Sequence, residues 1–231
     1  MNKNIAIALF SSSLLLFFLG TTSVGLAEYK PPADDRPPPK EKTQSAGSRG
    51  GCDLDREIPL TLLAPQSHVG QTASTHPSFA WFIPDSQSFP LTFTIYEYDR
   101  SLDRPTPIFA VDLKSSPGIM KFSMPKEQLG LKVGRRYIWQ VAIICNPNRP
   151  SRDLVANAEI DVVEIGASSG SSFWYDRLTA ALESSGNGQL SSEASALLGN
   201  LAEIEEETKT TPENHSGDRL RQIIEYRGAI D

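Results

Sequence analysis

The sequence predicts a mostly β chain, namely an antiparallel β-sandwich followed by a helical C-terminal extension. Short apolar runs, each closed by Gly, Pro, Asn or Asp, recur from residue 58 to residue 165, which is typical of successive strands. Seven candidate runs within about a hundred residues fit a sandwich. After Gly166 the apolar spacing changes from a strand period to a helical period. We therefore expect a sandwich over residues 52–165 and a helical extension over residues 166–231.

Residues 1–27 have the features of an export signal. Lys3 supplies a positive charge, residues 5–20 are apolar apart from a few serines, and Gly25-Leu26-Ala27 offers small residues for cleavage. We predict cleavage between Ala27 and Glu28. An uncleaved anchor is the alternative, although the apolar run is shorter than the roughly 20 residues that span a bilayer. The predicted location is the periplasm or the extracellular space, with no membrane span after cleavage.

Residues 28–51 are rich in proline and polar residues. A segment with almost no large apolar side chain buries too little surface to fold. We expect a disordered or polyproline-type linker, and the alternative is a ligand for a proline-recognition module.

The candidate strands follow in order, separated by good turn chemistry. They are residues 58–63, 78–83, 91–98, 107–113, 119–123, 137–145 and 154–165. Alternation is clearest where Leu91, Phe93 and Ile95 are interleaved with threonine and tyrosine, as a sheet with one solvated face requires. One helical turn is predicted at residues 125–129. In the dense run FAWFI, we expect Trp81 to point into the core.

The stretch LKVGRRYIWQVAIIC, residues 131–145, predicts the central strand. Tyr137 starts this strand six residues after Leu131, with Gly134 between them. This arrangement resembles the tyrosine corner of fibronectin type III and immunoglobulin-like sandwiches, in which the hydroxyl bonds to nearby backbone. We expect Tyr137 and Trp139 to join Trp81 as structural core residues of such a sandwich.

The chain has two cysteines, Cys52 and Cys145. In an exported protein they are expected to form a disulfide, because the compartment is oxidising. A reactive thiol is the alternative, although neither cysteine lies in a C-x-x-C pair or near a histidine.

The C-terminal extension predicts three helices, at about residues 172–183, 191–207 and 218–227. In the first, Trp174 and Leu178 share one face with Ala181 and Leu182; the second spaces its leucines helically. Glu205, Glu206 and Glu207 are interpreted as a solvated face. The sequence leaves open whether the extension docks on the sandwich or forms a separate interaction element.

Composition and motifs argue against several functions. The net charge of −6 gives no basic surface for nucleic acid, so no nucleic-acid partner is expected. His68, His76 and His215 lie far apart in the sequence, so no metal site and no cofactor are predicted. Asp99 and Asp103 are the closest approach to a carboxylate pair that could bind calcium or act as acid and base, but the neighbouring Arg100 and Arg104 favour a solvated turn.

Several segments together resemble the cyanobacterial domain of unknown function 928 family. They are residues 51–52, LTLLAP at 60–65, THPSFAWFIP at 75–84, PGIMKFSMP at 117–125, GRRYIWQVAIIC at 134–145 and FWYDRL at 173–178. The resemblance implies an exported protein without an assigned activity, cofactor or catalytic residue. It also supports the pairing of Cys52 with Cys145 and the unity of sandwich and extension. The polar sequence beyond Ile204 departs from the family pattern.

The resulting expectation is an exported, non-catalytic binding or adaptor domain of the cell envelope, with a protein or glycan partner. One alternative is a hydrolase of envelope polymers that uses Asp99 and Asp103. Another is a structural or assembly factor that binds its partner through the helical extension.

Overall fold

A computed structural model describes residues 28–33, 52, 58–99, 104–166, 172–183, 190–208 and 215–226. The predicted signal, with its cleavage site after Ala27, lies outside these ranges. Within them, eight strands precede three helices. The strands are β1 (Thr61–Leu62), β2 (Gly70–Thr72), β3 (Ser78–Ile83), β4 (Pro90–Asp99), β5 (Arg104–Lys114), β6 (Gly118–Ser123), β7 (Arg135–Ile143) and β8 (Leu154–Val162). The helices are α1 (Trp174–Glu183), α2 (Ser192–Glu207) and α3 (Ser216–Glu225).

The strands form two sheets, in the orders β1-β3-β6 and β2-β8-β7-β4-β5. All pairs are antiparallel except β2 with β8, which is parallel. The central position of β7 in the larger sheet agrees with the prediction for residues 131–145. The sequence analysis missed β2, because its residues Gly-Gln-Thr carry no apolar pattern.

One local prediction needs correction, and one short element was not predicted. The helical turn predicted at residues 125–129 is a turn, in which the Gln128 N–H donates to the carbonyl of Pro125 at 3.1 Å. A single hydrogen bond of this kind closes a turn without continuing into a helix. A short 3-10 helix at Pro150–Arg152 was not predicted.

The core lies between the two sheets and is rich in aromatic rings. Phe79 and Trp81 of β3 face Phe93 of β4 and Trp139 of β7, and all four are fully buried. The ring centroids of Phe79 and Trp139 are 5.0 Å apart, and those of Trp81 and Phe93 are 5.8 Å apart. Such ring pairs add roughly 0.5–1.5 kcal/mol to the burial of their surface.

The helical extension packs on the sheets, which answers a question that the sequence left open. The Trp174 Nε1–H donates to the carbonyl of Leu63 at 2.9 Å. Beyond Ile204, Leu220 and Ile223 of α3 are buried, and Tyr226 contacts Phe82 of β3 edge-on at 4.9 Å between centroids. Tyr226, at the end of α3, therefore covers part of the outer face of the three-stranded sheet, whereas Tyr175 of α1 contacts Phe79 and Trp139 in the core.

The beginning of the predicted linker also packs on the folded domain. Tyr29 is only 2% exposed, so residues 28–33 are not part of a disordered spacer. The physical reason is that Tyr29 is the one large aromatic side chain in residues 28–51, and its burial supplies the apolar contact that the prolines lack. Residues 34–51 lie outside the described ranges.

Candidate functional site

The predicted structural residues occupy the centre and one end of the two packed sheets. Cys52 and Cys145 form a disulfide across 93 residues of sequence. Trp81 and Trp139 lie with their ring centroids 6.5 Å apart. The hydroxyl of Tyr137 accepts a hydrogen bond from the Lys132 N–H at 3.0 Å, and burial raises the pKa of this phenol. The contacts of these residues stabilise the packing of the two sheets.

Of the two carboxylates considered for catalysis, Asp99 lies in the described part of the chain. Asp99 ends β4, opposite Arg104 in the register, whereas Asp103 lies outside the described ranges. Within those ranges, no group of three or more His, Cys, Asp or Glu side chains has the geometry to hold a metal ion. A cavity between Thr61, Asn157 and Arg219 measures about 10 Å³, which is room for one water molecule.

One edge of the five-stranded sheet, at β5, has no strand partner among the described residues. Among the described strands, β5 is the last of the five-stranded sheet and pairs with β4 alone. An unpaired edge exposes a row of main-chain donors and acceptors to any other extended chain.

Two hydrogen bonds fix the direction of the main-chain groups. Pro90 O accepts from Ile144 N at 2.9 Å, so this carbonyl points towards β7, whereas Phe89 O accepts from Ser115 N at 2.8 Å on the side of β5. The direction alternates along a strand. Together with the register that pairs Leu91 with Leu113, this alternation directs the main-chain groups of Ala110, Asp112 and Lys114 away from β4.

The other half of β5 is closed to pairing. The register shifts between Ile95 and Tyr96, and beyond this bulge Pro105 and Pro107 have no N–H to donate. Pro107 stands opposite Tyr96, and Pro105 stands opposite Tyr98. The main-chain groups of these two tyrosines point towards β7, so the main-chain groups of the prolines point away from β4. The free edge therefore lacks an N–H donor at both prolines. Strand addition is thereby confined to the half that begins at Ile108, which is 45% exposed.

The side of the five-stranded sheet opposite the aromatic core carries polar pairs, and Asp161 on this side is only 1% exposed. Arg136 of β7 donates through Nε and Nη2 to the two carboxylate oxygens of Asp161, both at 2.9 Å, and its Nη1 lies 3.2 Å from Glu159. A bidentate guanidinium–carboxylate pair is directional and holds two strands in one register. The Thr92 hydroxyl donates to the Asp112 carboxylate at 2.9 Å. This bond holds the side chain of Asp112 over the sheet, next to the β5 edge.

A second polar cluster was missed by the sequence analysis. Glu205, which was assigned to a solvated face together with Glu206 and Glu207, is 1% exposed. Its Oε1 accepts hydrogen bonds from Gln66 N at 2.8 Å, Ser67 N at 3.0 Å and Ser67 Oγ at 3.0 Å. These donors lie 138 and 139 residues away in sequence, so helical periodicity could not identify them.

The same cluster contains Tyr29 and His68. Tyr29 Oη lies 2.7 Å from His68 Nε2. Burial raises the pKa of Tyr29 well above its ordinary value and lowers the pKa of His68, although the carboxylate of Glu205 opposes the second shift. The lone aromatic in a proline-rich segment was the one sequence signal for this cluster.

Comparison with known protein families agrees with five of the six segments that carried the resemblance, because FWYDRL at residues 173–178 lies beyond the matched residues. The family Domain of Unknown Function (DUF928) matches residues 44–172, which is more than half of the 231-residue chain. The chain belongs to the DUF928 family. The matched residues of this DUF928 protein end just before α1. No curated protein and no solved structure matches the chain. Among the described residues, no helix is long and apolar enough to cross a membrane.

Proposed function

We propose that this DUF928 protein is a non-catalytic binding domain that pairs an extended polypeptide segment with the free edge of β5. The observation that carries the proposal is the outward direction of the main-chain groups of Ala110, Asp112 and Lys114. Each of these residues offers one N–H and one C=O at the spacing of a strand. An added strand satisfies these groups, as in other recognition by strand addition.

An extended polypeptide fits this edge better than a glycan does. The edge alternates donors and acceptors along one line, and only another main chain matches that alternation over several residues. Ile108 provides an exposed apolar contact at one end, and Lys114 provides an exposed positive charge at the other. We therefore propose an acidic or neutral segment with an apolar residue opposite Ile108.

We also propose that the two packed sheets form an immunoglobulin-like sandwich. The placement of β8, β7 and β4 side by side opposite β1, β3 and β6 supports this assignment, since sandwiches of that class divide their strands similarly. The Tyr137 hydrogen bond to Lys132 N is further support.

The proposed location of the partner is the cell envelope. The Cys52–Cys145 disulfide supports an oxidising compartment, because such bonds rarely persist in reducing cytosol. Removal of residues 1–27 as an export signal is part of this proposal.

The alternatives are an assembly factor and a hydrolase. For an assembly factor that binds through its helical extension, the apolar faces of α1, α2 and α3 are engaged within the chain, so a partner would meet their polar faces. For a hydrolase, Asp99 and Asp103 would need to converge on a substrate cleft. Turnover in a panel of hydrolase substrates, abolished by Asp99→Asn, would favour that function over ours.

The experiment compares two substitutions at one position of the free edge. Ala110→Pro removes the outward N–H, whereas Ala110→Thr retains it and suits a strand. Each tagged chain, without residues 1–27, is used for quantitative capture from the envelope fraction of the cells that express it. A photo-crosslinking residue at Lys114 identifies what lies beside the edge, and the same residue at Lys126, which is exposed in the turn after β6, serves as the control.

We expect one protein to be captured by the wild type and by Ala110→Thr, and to be lost from Ala110→Pro. The crosslink from position 114 should fall in an extended segment of that protein. Retention of the partner by Ala110→Pro, with circular dichroism unchanged in both variants, would overturn the proposal.

A further inference from the structure

The side chain of Tyr29 lies in a pocket built by other parts of the chain. Its ring meets Trp174 of α1 edge-on at 5.0 Å between centroids and stacks on His68 at 5.8 Å. Glu28 Oε1 accepts a hydrogen bond from Asn200 Nδ2 of α2 at 3.4 Å. We name this place the Tyr29 pocket; it is formed by His68, Trp174, Glu205 and the neighbouring Ser67.

The hydrogen bonds in the Tyr29 pocket have a fixed direction. Ser67 Oγ donates its single proton to Glu205 Oε1, so at the 3.0 Å contact with His68 Nδ1 the serine oxygen accepts and the imidazole donates. A neutral imidazole with its proton on Nδ1 has an acceptor at Nε2. The pocket therefore requires a donor at the position of the Tyr29 hydroxyl, and a phenol supplies one.

The walls of the pocket are held by contacts that do not involve residues 28–33. Trp174 is fixed by its bond to the carbonyl of Leu63. Ser67 and His68 belong to the loop between β1 and β2, which Glu205 of α2 holds through two N–H groups. Ser216 of α3 donates to the second oxygen of Glu205 at 2.9 Å. Because these contacts join four other parts of the chain, the pocket should persist when the segment leaves.

We propose that the Tyr29 pocket is a peptide-binding site whose ligand is the segment Glu28–Ala33, so that the segment also binds as a separate molecule. Within the segment only Tyr29 is buried, and Lys30, Pro31 and Ala33 are exposed. Its attachment thus depends on one phenol and on the hydrogen bond of Glu28. The segment is a releasable latch against α1 and α2, at a site separate from the β5 edge.

The test uses the chain from Glu28 onward with the substitution Tyr29→Ala, which empties the pocket. The synthetic peptide EYKPPA is added, and the melting temperature is followed against peptide concentration. A ligand that binds only the folded state raises the melting temperature in a saturable way. The matched control peptides are EFKPPA, which lacks only the hydroxyl, and EAKPPA, which lacks the ring.

We expect a saturable rise with EYKPPA, binding of EFKPPA weakened by about tenfold or more, and no rise with EAKPPA. The wild-type chain should respond much less, because its pocket is filled. The absence of a rise with millimolar EYKPPA, in a Tyr29→Ala chain whose near-ultraviolet circular dichroism is native, would overturn the proposal.

A second arrangement covers the case in which Tyr29→Ala does not fold. A protease site is placed between residues 38 and 48 of the wild-type chain, and the folded protein is cleaved there. We expect the freed N-terminal fragment to stay bound on gel filtration, or to rebind to the remaining chain with a measurable dissociation constant. A remaining chain that stays folded but takes up no fragment would contradict the proposal.

Discussion

The Nε1–H of Trp139 donates to the hydroxyl of Tyr175 at 2.8 Å, and this bond joins the central strand β7 to the first turn of α1. The Tyr175 hydroxyl in turn donates to the carbonyl of Glu159 at 2.9 Å. Burial raises the pKa of this phenol far above its ordinary value, so it stays protonated and retains both roles. Through this residue α1 belongs to the same core as the sheets.

Tyr175→Phe should destabilise the chain by about 1–3 kcal/mol, because the Trp139 N–H and the Glu159 carbonyl lose their buried partner. Urea unfolding followed by tryptophan fluorescence measures the change. Tyr96→Phe is the matched control, since the Tyr96 hydroxyl is partly buried and donates to Gln140 at 3.3 Å; it should cost less than about 1 kcal/mol. Equal losses in the two variants would contradict the assigned role of Tyr175.

Glu205→Gln should lower the free energy of unfolding by about 2–4 kcal/mol. The four groups bonded to Glu205 all donate to its carboxylate. The neutral amide replaces one of the two accepting oxygens with a donor, so at least one of these buried hydrogen bonds is lost. Glu207→Gln makes the same chemical change on the same helix at an exposed position, where we expect a change within about 0.5 kcal/mol. Denaturant unfolding at neutral pH compares them, and a Glu205→Gln chain as stable as Glu207→Gln would refute the prediction.

Acidification should weaken the packing around His68. Burial lowers the pKa of His68 in the folded state, so the folded state binds fewer protons than the unfolded state near that pKa. Stability from this group is complete above the unfolded pKa of about 6.5 and is lost as the pH falls through the lowered folded pKa. Once Nε2 is protonated, it no longer accepts the proton of the Tyr29 hydroxyl. The carboxylate of Glu205 on α2 opposes the lowering of the His68 pKa. The guanidinium of Arg177 on α1 lowers the pKa of Tyr29.

The measurement is urea unfolding of the wild type and of His68→Gln between pH 5 and pH 8. We expect stability to fall with decreasing pH below about 6.5 in the wild type, and a flatter profile in the variant. His215→Gln is the control, because His215 is exposed and should leave the wild-type profile in place. A profile unchanged by His68→Gln would show that another group carries the acid sensitivity.

Replacement of Cys52 and Cys145 by serine should cost roughly 4–5 kcal/mol, since the bond closes a loop with a sequence separation of 93 residues and restrains the unfolded state. The denaturation midpoint of the double variant is compared with that of the reduced wild-type chain. The two should agree with each other and fall below the oxidised protein. A double variant that matches the oxidised chain would show that the bond is dispensable.

Local pattern was sufficient for the strands whose burial follows their own alternation. In β7 the residues Tyr137, Trp139, Val141 and Ile143 are buried at every second position, and β3 begins and ends where its apolar run does. The positions of Trp81 and of the Tyr137 hydroxyl follow from the same kind of information. The pairing of Cys52 with Cys145 was predicted from the presence of two cysteines in a chain whose sequence predicts export.

Contacts between distant segments decided the rest. Glu205 looks like one of three equivalent acidic residues until the loop at Gln66 and Ser67 brings its N–H groups to one oxygen. Tyr29 looks like part of a spacer until Trp174 and His68 form its pocket. The direction of the β5 main-chain groups depends on the register with β4. Periodicity reports which side of an element is apolar, whereas the partner that meets a polar atom is set by the tertiary fold.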